Sequence, residues 1–206
     1  MKTSVSAMVL MMMFAIGTVA AAEDAPASDP QTDSSTASPA AAKPLVPIDS
    51  EPPELKKLAG SYTLVGSQAA SATTIEASID AAVASLGGLK KGIARKRLAA
   101  VNKAIVRLKL SSTGKQVTVG MDSYVVTAPL DGKPVVVKTP SGDEARASFK
   151  LEHATLVQEM VQSKGTRENT FRFNSDGNLV MHVKETSPQL PTPVSYSLVY
   201  KRAGGS

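Results

Sequence analysis

Between Asp80 and Asp122 the chain has no acidic residue, while it carries Lys90, Lys91, Arg95, Lys96, Arg97, Lys103, Arg107, Lys109 and Lys115. The first six fall on, or at the ends of, a stretch with helical spacing. A basic amphipathic helix suits an anionic membrane surface or an envelope polymer, because cationic side chains are drawn to the negative potential. The plainer reading of the same run is a solvated helix face that happens to be basic. Nucleic acid fits worse, since no aromatic residue is interleaved for base stacking.

Residues that could do covalent or acid–base work are sparse. The two histidines, His153 and His182, have no second histidine at metal-ligand spacing, and Glu152-His153 is only an adjacent pair. No Gly-x-Ser-x-Gly elbow occurs. Gly87 and Gly92 are spaced like the glycines of a phosphate loop, but Ile93-Ala94 follows where Lys-Ser/Thr is required. Carboxylates stand singly. There is no cysteine, which excludes disulfides, thiolate metal sites and a lipidated cysteine. The expectation is a protein that is not an enzyme, with no catalytic residue, no metal and no cofactor.

The elements that position these residues are mostly strands. From Lys103 to Arg202 apolar and polar residues alternate in nine short runs, because successive strand side chains point to opposite faces. Turn chemistry separates the runs: Ser112-Thr113-Gly114, Asp131-Gly132, Ser141-Gly142-Asp143, Lys164-Gly165 and Asp176-Gly177-Asn178. Short turns make neighbours antiparallel. Only the link from Lys184 to Val194 is long, and Pro188, Pro191 and Pro193 make it a loop. Upstream, Gly60 to Val65 reads as a first strand. Thr73 and Glu76 look like a capping box for a helix carrying Ile75, Ile79, Val83 and Leu86. Gly87-Gly88 ends it. A second helix over about 89–102 would turn Ile93, Ala94, Leu98 and Val101 inward.

The fold expected is therefore mainly β: a single antiparallel up-and-down β-barrel of about ten strands, with a helix–turn–helix inserted after the first strand. Its inward residues would include Tyr124, Phe149, Gln158, Met160, Phe171, Phe173, Met181 and Tyr196, with Gln158 and Tyr196 as polar tips. A barrel this wide holds either a small apolar ligand or a plug of its own Met and Phe side chains. Tyr62 and Arg202 are expected to stack at the closing seam as a cation–π pair.

Domain organisation follows composition. Residues 1–22 read as a signal peptide: Lys2, a short apolar run, then Ala20-Ala21-Ala22. Residues 23–54 form a disordered acidic Ala/Pro/Ser linker, with seven acids against Lys43 alone. Residues 55–206 form the barrel domain. This domain has 21 Lys and Arg against 11 Asp and Glu, a charge of +10 that the whole-chain value of +5 conceals.

One strand, a helix–turn–helix and a long meander is similar to the fatty-acid-binding branch of the calycins. Gly60-Ser61-Tyr62 resembles the lipocalin Gly-x-Trp, with Tyr for Trp, and Tyr200-Lys201-Arg202 resembles the late basic residue that packs across that ring. The resemblance spans about residues 58–202. It implies a calycin-like barrel whose helical lid contacts membranes. It also implies an Arg-x-Tyr carboxylate clamp on the last strand. There the chain reads Val194-Ser195-Tyr196, so only the tyrosine matches and no charged clamp is expected.

The functional expectation is an exported, periplasmic or secreted, non-enzymatic protein that holds a small apolar or amphiphilic ligand in the barrel. The alternative is an envelope or surface interaction protein with a filled core, docking through Lys90, Lys91, Arg95, Lys96, Arg97 and Lys103 on anionic polymer or membrane. A protease inhibitor is a third reading that the resemblance implies.

Overall fold

The computed structural model describes residues 51–204. The expected signal peptide, most of the acidic linker and the last two residues lie outside them. In chain order the elements are α1 (Pro53–Leu58), β1 (Gly60–Leu64), α2 (Gln68–Ala82), α3 (Gly88–Val101), β2 (Arg107–Ser112), β3 (Gln116–Met121), β4 (Tyr124–Pro129), β5 (Val135–Lys138), β6 (Glu144–Glu152), β7 (Thr155–Gln162), β8 (Gly165–Phe173), β9 (Leu179–Thr186) and β10 (Val194–Arg202).

The strands form one antiparallel sheet in the order β4-β3-β2-β1-β10-β9-β8-β7-β6-β5. Except at β4 and β5, each strand pairs with the next in sequence, and β10 returns to pair with β1. The sheet curls into a nearly closed barrel. Its open line runs between β4 and β5, which share no ladder. There β4 lies close to β6 and β5, and Gly132 N–H donates to Phe149 O at 3.0 Å.

Alternation decides what faces in. On β3 Val117, Val119 and Met121 are buried, and on β9 Leu179, Met181 and Val183 are, with more exposed residues between them. Burying such side chains stabilises by about 1.5–3 kcal/mol each. The antiparallel path also sorts the connections by end. The helices, and the β3–β4, β5–β6, β7–β8 and β9–β10 turns, lie at one end. At the other, α1 closes the barrel with Leu55 and Leu58 at 2% and 1% exposure.

The helical hairpin differs from expectation in two ways. The first is where α2 starts. Ser67 is its N-cap and accepts from Ala70 N–H at 3.1 Å, so Thr73 and Glu76 lie inside the helix rather than at a capping box. The Ala- and Ser-rich residues 68–72 offer no obstacle to an earlier start, and Ser67 supplies the acceptor that the free N–H groups need. Once inside the helix, Thr73 Oγ1 donates back to Ala69 O.

The second difference is which side of α3 is covered. Only Leu98 is buried, with Ala94 half-buried, while Leu89, Ile93 and Val101 are 82%, 46% and 52% exposed. At about 100° per residue, Ile93 sits some 140° from Leu98, so one stripe cannot turn both inward. The hairpin is fixed to the barrel mainly through α2. Ser78 Oγ donates to Ser195 O and accepts from Ser195 N–H, both at 2.8 Å.

Tyr62 and Arg202 are stacked as expected, at 5.1 Å, but not at the open line: they face each other in the continuous β1–β10 ladder.

Candidate functional site

The register of the second half of the sheet stacks the interior into rows. Phe173 and Leu179 stand opposite one another near the α1 end, and their row runs on through Tyr200 to Leu64, where β1 leaves for α2. Above them runs Leu151, Leu156, Phe171, Met181 and Leu198. These rows have no charged side chain. The next row is Phe149, Gln158, Asn169, Val183 and Tyr196, and the one beneath the helices holds Met160, Arg167, Glu185 and Val194. Across β6–β9 the inward face is thus apolar towards α1 and polar towards the helices.

The polar rows form one connected cluster. Asn169 Nδ2 donates to Gln158 Oε1 at 2.7 Å, and both residues are fully buried. Arg167 Nε donates to Asn169 Oδ1 at 3.2 Å and its Nη2 to the Tyr196 hydroxyl at 3.2 Å. Arg167 Nη1 donates to Asn102 Oδ1 at 3.1 Å, and the Tyr196 hydroxyl donates to the same oxygen at 3.0 Å. Asn102 Nδ2 in turn donates to Glu185 Oε2 at 2.9 Å.

Arg167 and Glu185 are the charges of this cluster, with side chains 19% and 21% exposed and a closest approach of 3.8 Å. That is too long for a direct charge-assisted hydrogen bond. Burial raises the Tyr196 pKa, opposed by Arg167, so its hydroxyl stays protonated and able to donate. Two polar atoms are left over: Gln158 Nε2 and the Tyr124 hydroxyl are buried without a hydrogen-bond partner among the described residues. A buried orphan of this kind costs about 1–3 kcal/mol.

All eight residues expected to face inward do so to some degree. Phe149, Gln158, Phe171 and Met181 are fully buried, and Met160 and Tyr196 nearly so. Tyr124 and Phe173 are half-buried, and Phe173 packs on Tyr62 with ring centres 6.5 Å apart. The structure adds four polar residues that the sequence reading passed over: Arg167, Asn169, Glu185 and Asn102. Three of them carried a signal. Arg167 and Asn169 are in phase with Phe171 and Phe173, and Glu185 is in phase with Met181 and Val183. Asn102, at the C-cap of α3, carried none.

Two concavities among the described residues lie outside this interior. One, about 420 Å³, opens at the rim between the β7–β8 turn and the loop after β9, against Gln162, Gly165, Thr186 and Pro188. The other, about 90 Å³, is on the outer face against Ser148, Lys150, Glu159 and Glu168. The interior itself is packed by its own side chains.

Of the six basic residues expected to form an anionic-surface face, Lys90, Lys96, Arg97 and Lys103 are exposed and Lys91 is half-buried. Arg95 is exposed but engaged: its Nε donates to Asp80 Oδ1 at 2.5 Å, joining α3 to α2. Leu89 and Ile93 share the exposed side with Lys96.

On the outer face of β9 and β10, His182 Nε2 lies 3.3 Å from Ser195 Oγ, but its Nδ1 faces Ser197 Oγ at 3.0 Å. A serine nucleophile needs its base oriented by a third group, usually an acid. No cluster of three metal-ligating side chains occurs among the described residues, and no helix there is long and apolar enough to cross a membrane.

No family model and no curated protein matches the chain. Solved structures similar to it include a REP1-NXSQ fatty acid transporter, 13% identical over 73% of this chain and 99% of that one, with a TM-score of 0.46. The wild-type fluorescent protein UnaG is 17% identical over 72% of this chain and 99% of that one, with a TM-score of 0.49. Apo lipid binding protein 8 of Caenorhabditis elegans is 12% identical over 72% of this chain and 96% of that one, with a TM-score of 0.46. The barrel has the strand order, and the helical hairpin after β1, that the resemblance to calycins implies.

Proposed function

We propose that the chain is an exported, non-enzymatic binding protein that takes a small amphiphile into the barrel, tail towards α1 and polar head beneath α3. The observation that carries this is the axial split of the interior. Rows through Phe171 and Met181 and through Phe173 and Leu179 are apolar, while Arg167, Tyr196, Asn169 and Gln158 gather under the helices. A purely structural core has no need of a half-satisfied polar layer, which lowers stability relative to apolar packing. Because the interior is packed, binding requires the helical end to open and side chains to move aside. The leader read in residues 1–22 supports export.

Native mass spectrometry of protein purified from its own cells, before and after organic extraction, tests the reading. A discrete adduct removed by extraction is the expected result. A bare polypeptide mass in both samples overturns it.

A second reading has its own observation. Leu89 and Ile93 stand exposed among Lys90, Lys96 and Arg97 on a face with no acidic residue. That combination suits an anionic lipid surface, with basic heads at the phosphates and apolar side chains among the acyl chains. Sedimentation with phosphatidylglycerol vesicles but not phosphatidylcholine vesicles is expected. Equal recovery with both ends this reading.

A further inference from the structure

Asn102 occupies the position that an incoming head group would need. Its side chain is 4% exposed, and its carboxamide oxygen accepts from Arg167 Nη1 at 3.1 Å and from the Tyr196 hydroxyl at 3.0 Å. A carboxamide and a carboxylate are both planar and present an sp² oxygen to a donor in the same way. The Asn102 oxygen therefore takes, from a guanidinium and a phenol, two hydrogen bonds that one oxygen of a carboxylate head would take. The amide is the weaker acceptor, because a carboxylate oxygen carries charge: it makes the bond from the Tyr196 hydroxyl charge-assisted and adds ion pairing to the one from Arg167.

The same residue ends α3. Asn102 N–H and Nδ2 both donate to Leu98 O, at 2.9 and 3.1 Å, and Nδ2 also reaches Glu185. Little else holds α3 down: Leu98 is its buried side chain, Ala94 is half-buried, and Arg95 pairs with Asp80. One side chain thus links the C-terminal end of α3 to the donors of the interior.

We propose that Asn102 is an internal stand-in for the ligand's head group and, through it, the latch of α3. A ligand carboxylate displaces the Asn102 oxygen from Arg167 and Tyr196, and the C-terminal end of α3 is released. The ligand oxygen takes over both hydrogen bonds and the freed carboxamide turns towards solvent, while Glu185 gives up its bond from Asn102 Nδ2 and keeps Arg167 as its neighbour. Glu185 sets the head-group charge. It stands 3.8 Å from Arg167, so a carboxylate monoanion is accommodated where a phosphate dianion is repelled. This inference rests on the interior-binding reading above.

The test compares the wild-type chain with Asn102→Ala and Asn102→Ser. The probes are dansylaminoundecanoic acid and its methyl ester, which share a tail and differ in head charge. Hydrogen exchange across residues 88–102 is followed in parallel. If the latch leaves the open form near a tenth of the population, removing it tightens binding of both probes about tenfold, and the acid gains further because it alone takes up the donors that Asn102 held with a full charge. Exchange in α3 is expected to accelerate in the free variants, and in the wild type when the acid saturates it.

Weaker acid binding in both variants overturns the proposal, because Asn102 would then be a contact of the ligand. Acid binding that is equal in all three proteins, with α3 exchange unmoved, overturns the latch and leaves interior binding standing. Absence of binding by either probe to any of the three overturns interior binding, and the latch with it. If the variants do not fold, wild-type exchange decides: α3 exchange that slows or stays constant under saturating acid overturns the proposal.

Discussion

Arg202 lies directly opposite Tyr62 across the β1–β10 ladder, with its guanidinium carbon 5.1 Å from the centre of the tyrosine ring. The same guanidinium donates to Ala59 O and Lys57 O, each at 2.7 Å, and Tyr62 donates to Leu58 O at 2.7 Å. One planar cation therefore ties the end of the last strand to the C-terminal end of α1 and to the first strand. Replacing Arg202 with Ala is expected to lower stability by about 1–2 kcal/mol, the sum of a cation–π contact and charge-assisted hydrogen bonds at a partly exposed site. Arg202→Lys keeps the charge but not the fork and should lose most of it. Urea unfolding midpoints measure both. An unchanged midpoint for Arg202→Ala would remove this residue from the account of barrel stability.

Gln158 and Asn169 are partners, so their single substitutions should cost more than their joint one. Gln158→Leu strands the Asn169 amide donor and Asn169→Leu strands the Gln158 carbonyl. Each is expected to destabilise by about 1–3 kcal/mol. The double substitution removes both polar groups together with the orphaned Gln158 Nε2, and should recover the part of the loss that does not come from Arg167 Nε losing its Asn169 acceptor. A double-mutant cycle by chemical denaturation reads the coupling. Strictly additive losses would mean that the pair is not coupled.

Arg167 should separate ligands by head group. With Arg167→Gln, affinity for dansylaminoundecanoic acid is expected to fall about ten- to a hundredfold, the range for losing one charge-assisted hydrogen bond, while the methyl ester binds nearly as before. Fluorescence titration reports both. Equal losses for acid and ester would place the effect in the fold rather than at the head group.

All four tyrosines are held in the neutral form. Burial is the leading cause of the raised pKa of Tyr62, Tyr124, Tyr196 and Tyr200, with Arg202 opposing it at Tyr62 and Arg167 at Tyr196 and Tyr200. A raised acid pKa stabilises the fold fully below the unfolded value of 10.0 and loses that stabilisation as pH climbs through the folded values. Phenolate absorbance should therefore lag behind that of free tyrosine and rise together with loss of far-ultraviolet dichroism. A tyrosine that ionises near 10 in a barrel still folded would contradict this.

Asp80 works in the opposite direction. The hydrogen bond from Arg95 is the largest cause of its lowered pKa, with Lys91 adding to it. The stabilisation it gives the α2–α3 hairpin is present above the ordinary value of 3.8 and disappears as pH falls through the lower folded one. Arg95→Gln should return the Asp80 carboxyl towards 3.8 in a carbon NMR titration. A midpoint that stays low would assign the shift to Lys91.

The strands of this protein were legible because one buried face leaves a period of two in the sequence. Val117, Val119 and Met121, or Leu179, Met181 and Val183, name their own faces, and Asp131-Gly132 and Asp176-Gly177 mark where the chain reverses. That logic fails where an inward position is charged. Arg167 keeps step with Phe171, but a guanidinium reads as a solvent-facing residue until Tyr196, Asn169 and Asn102 are seen around it. Asn169 is on the same strand, but Tyr196 and Asn102 come from two other places in the chain, and no local pattern joins them to Arg167. The helices were harder for a related reason. Ser67 caps α2 through a single oxygen, and several serines and threonines nearby could have done so. The exposed side of α3 follows from a barrel that covers little more than Leu98.

The ladder that β4 and β5 do not share gives the barrel an adjustable girth. Everywhere else, widening it would require breaking rows of backbone hydrogen bonds. Along that one line only side-chain packing, and the bond from Gly132 to Phe149, must yield. The two bordering strands also keep unpaired edges, and each carries a largely exposed valine, Val125 and Val136. A container built this way works like a buckled strap: its capacity is set by how far the buckle slips, and a tail too thick for the relaxed interior is accommodated there first.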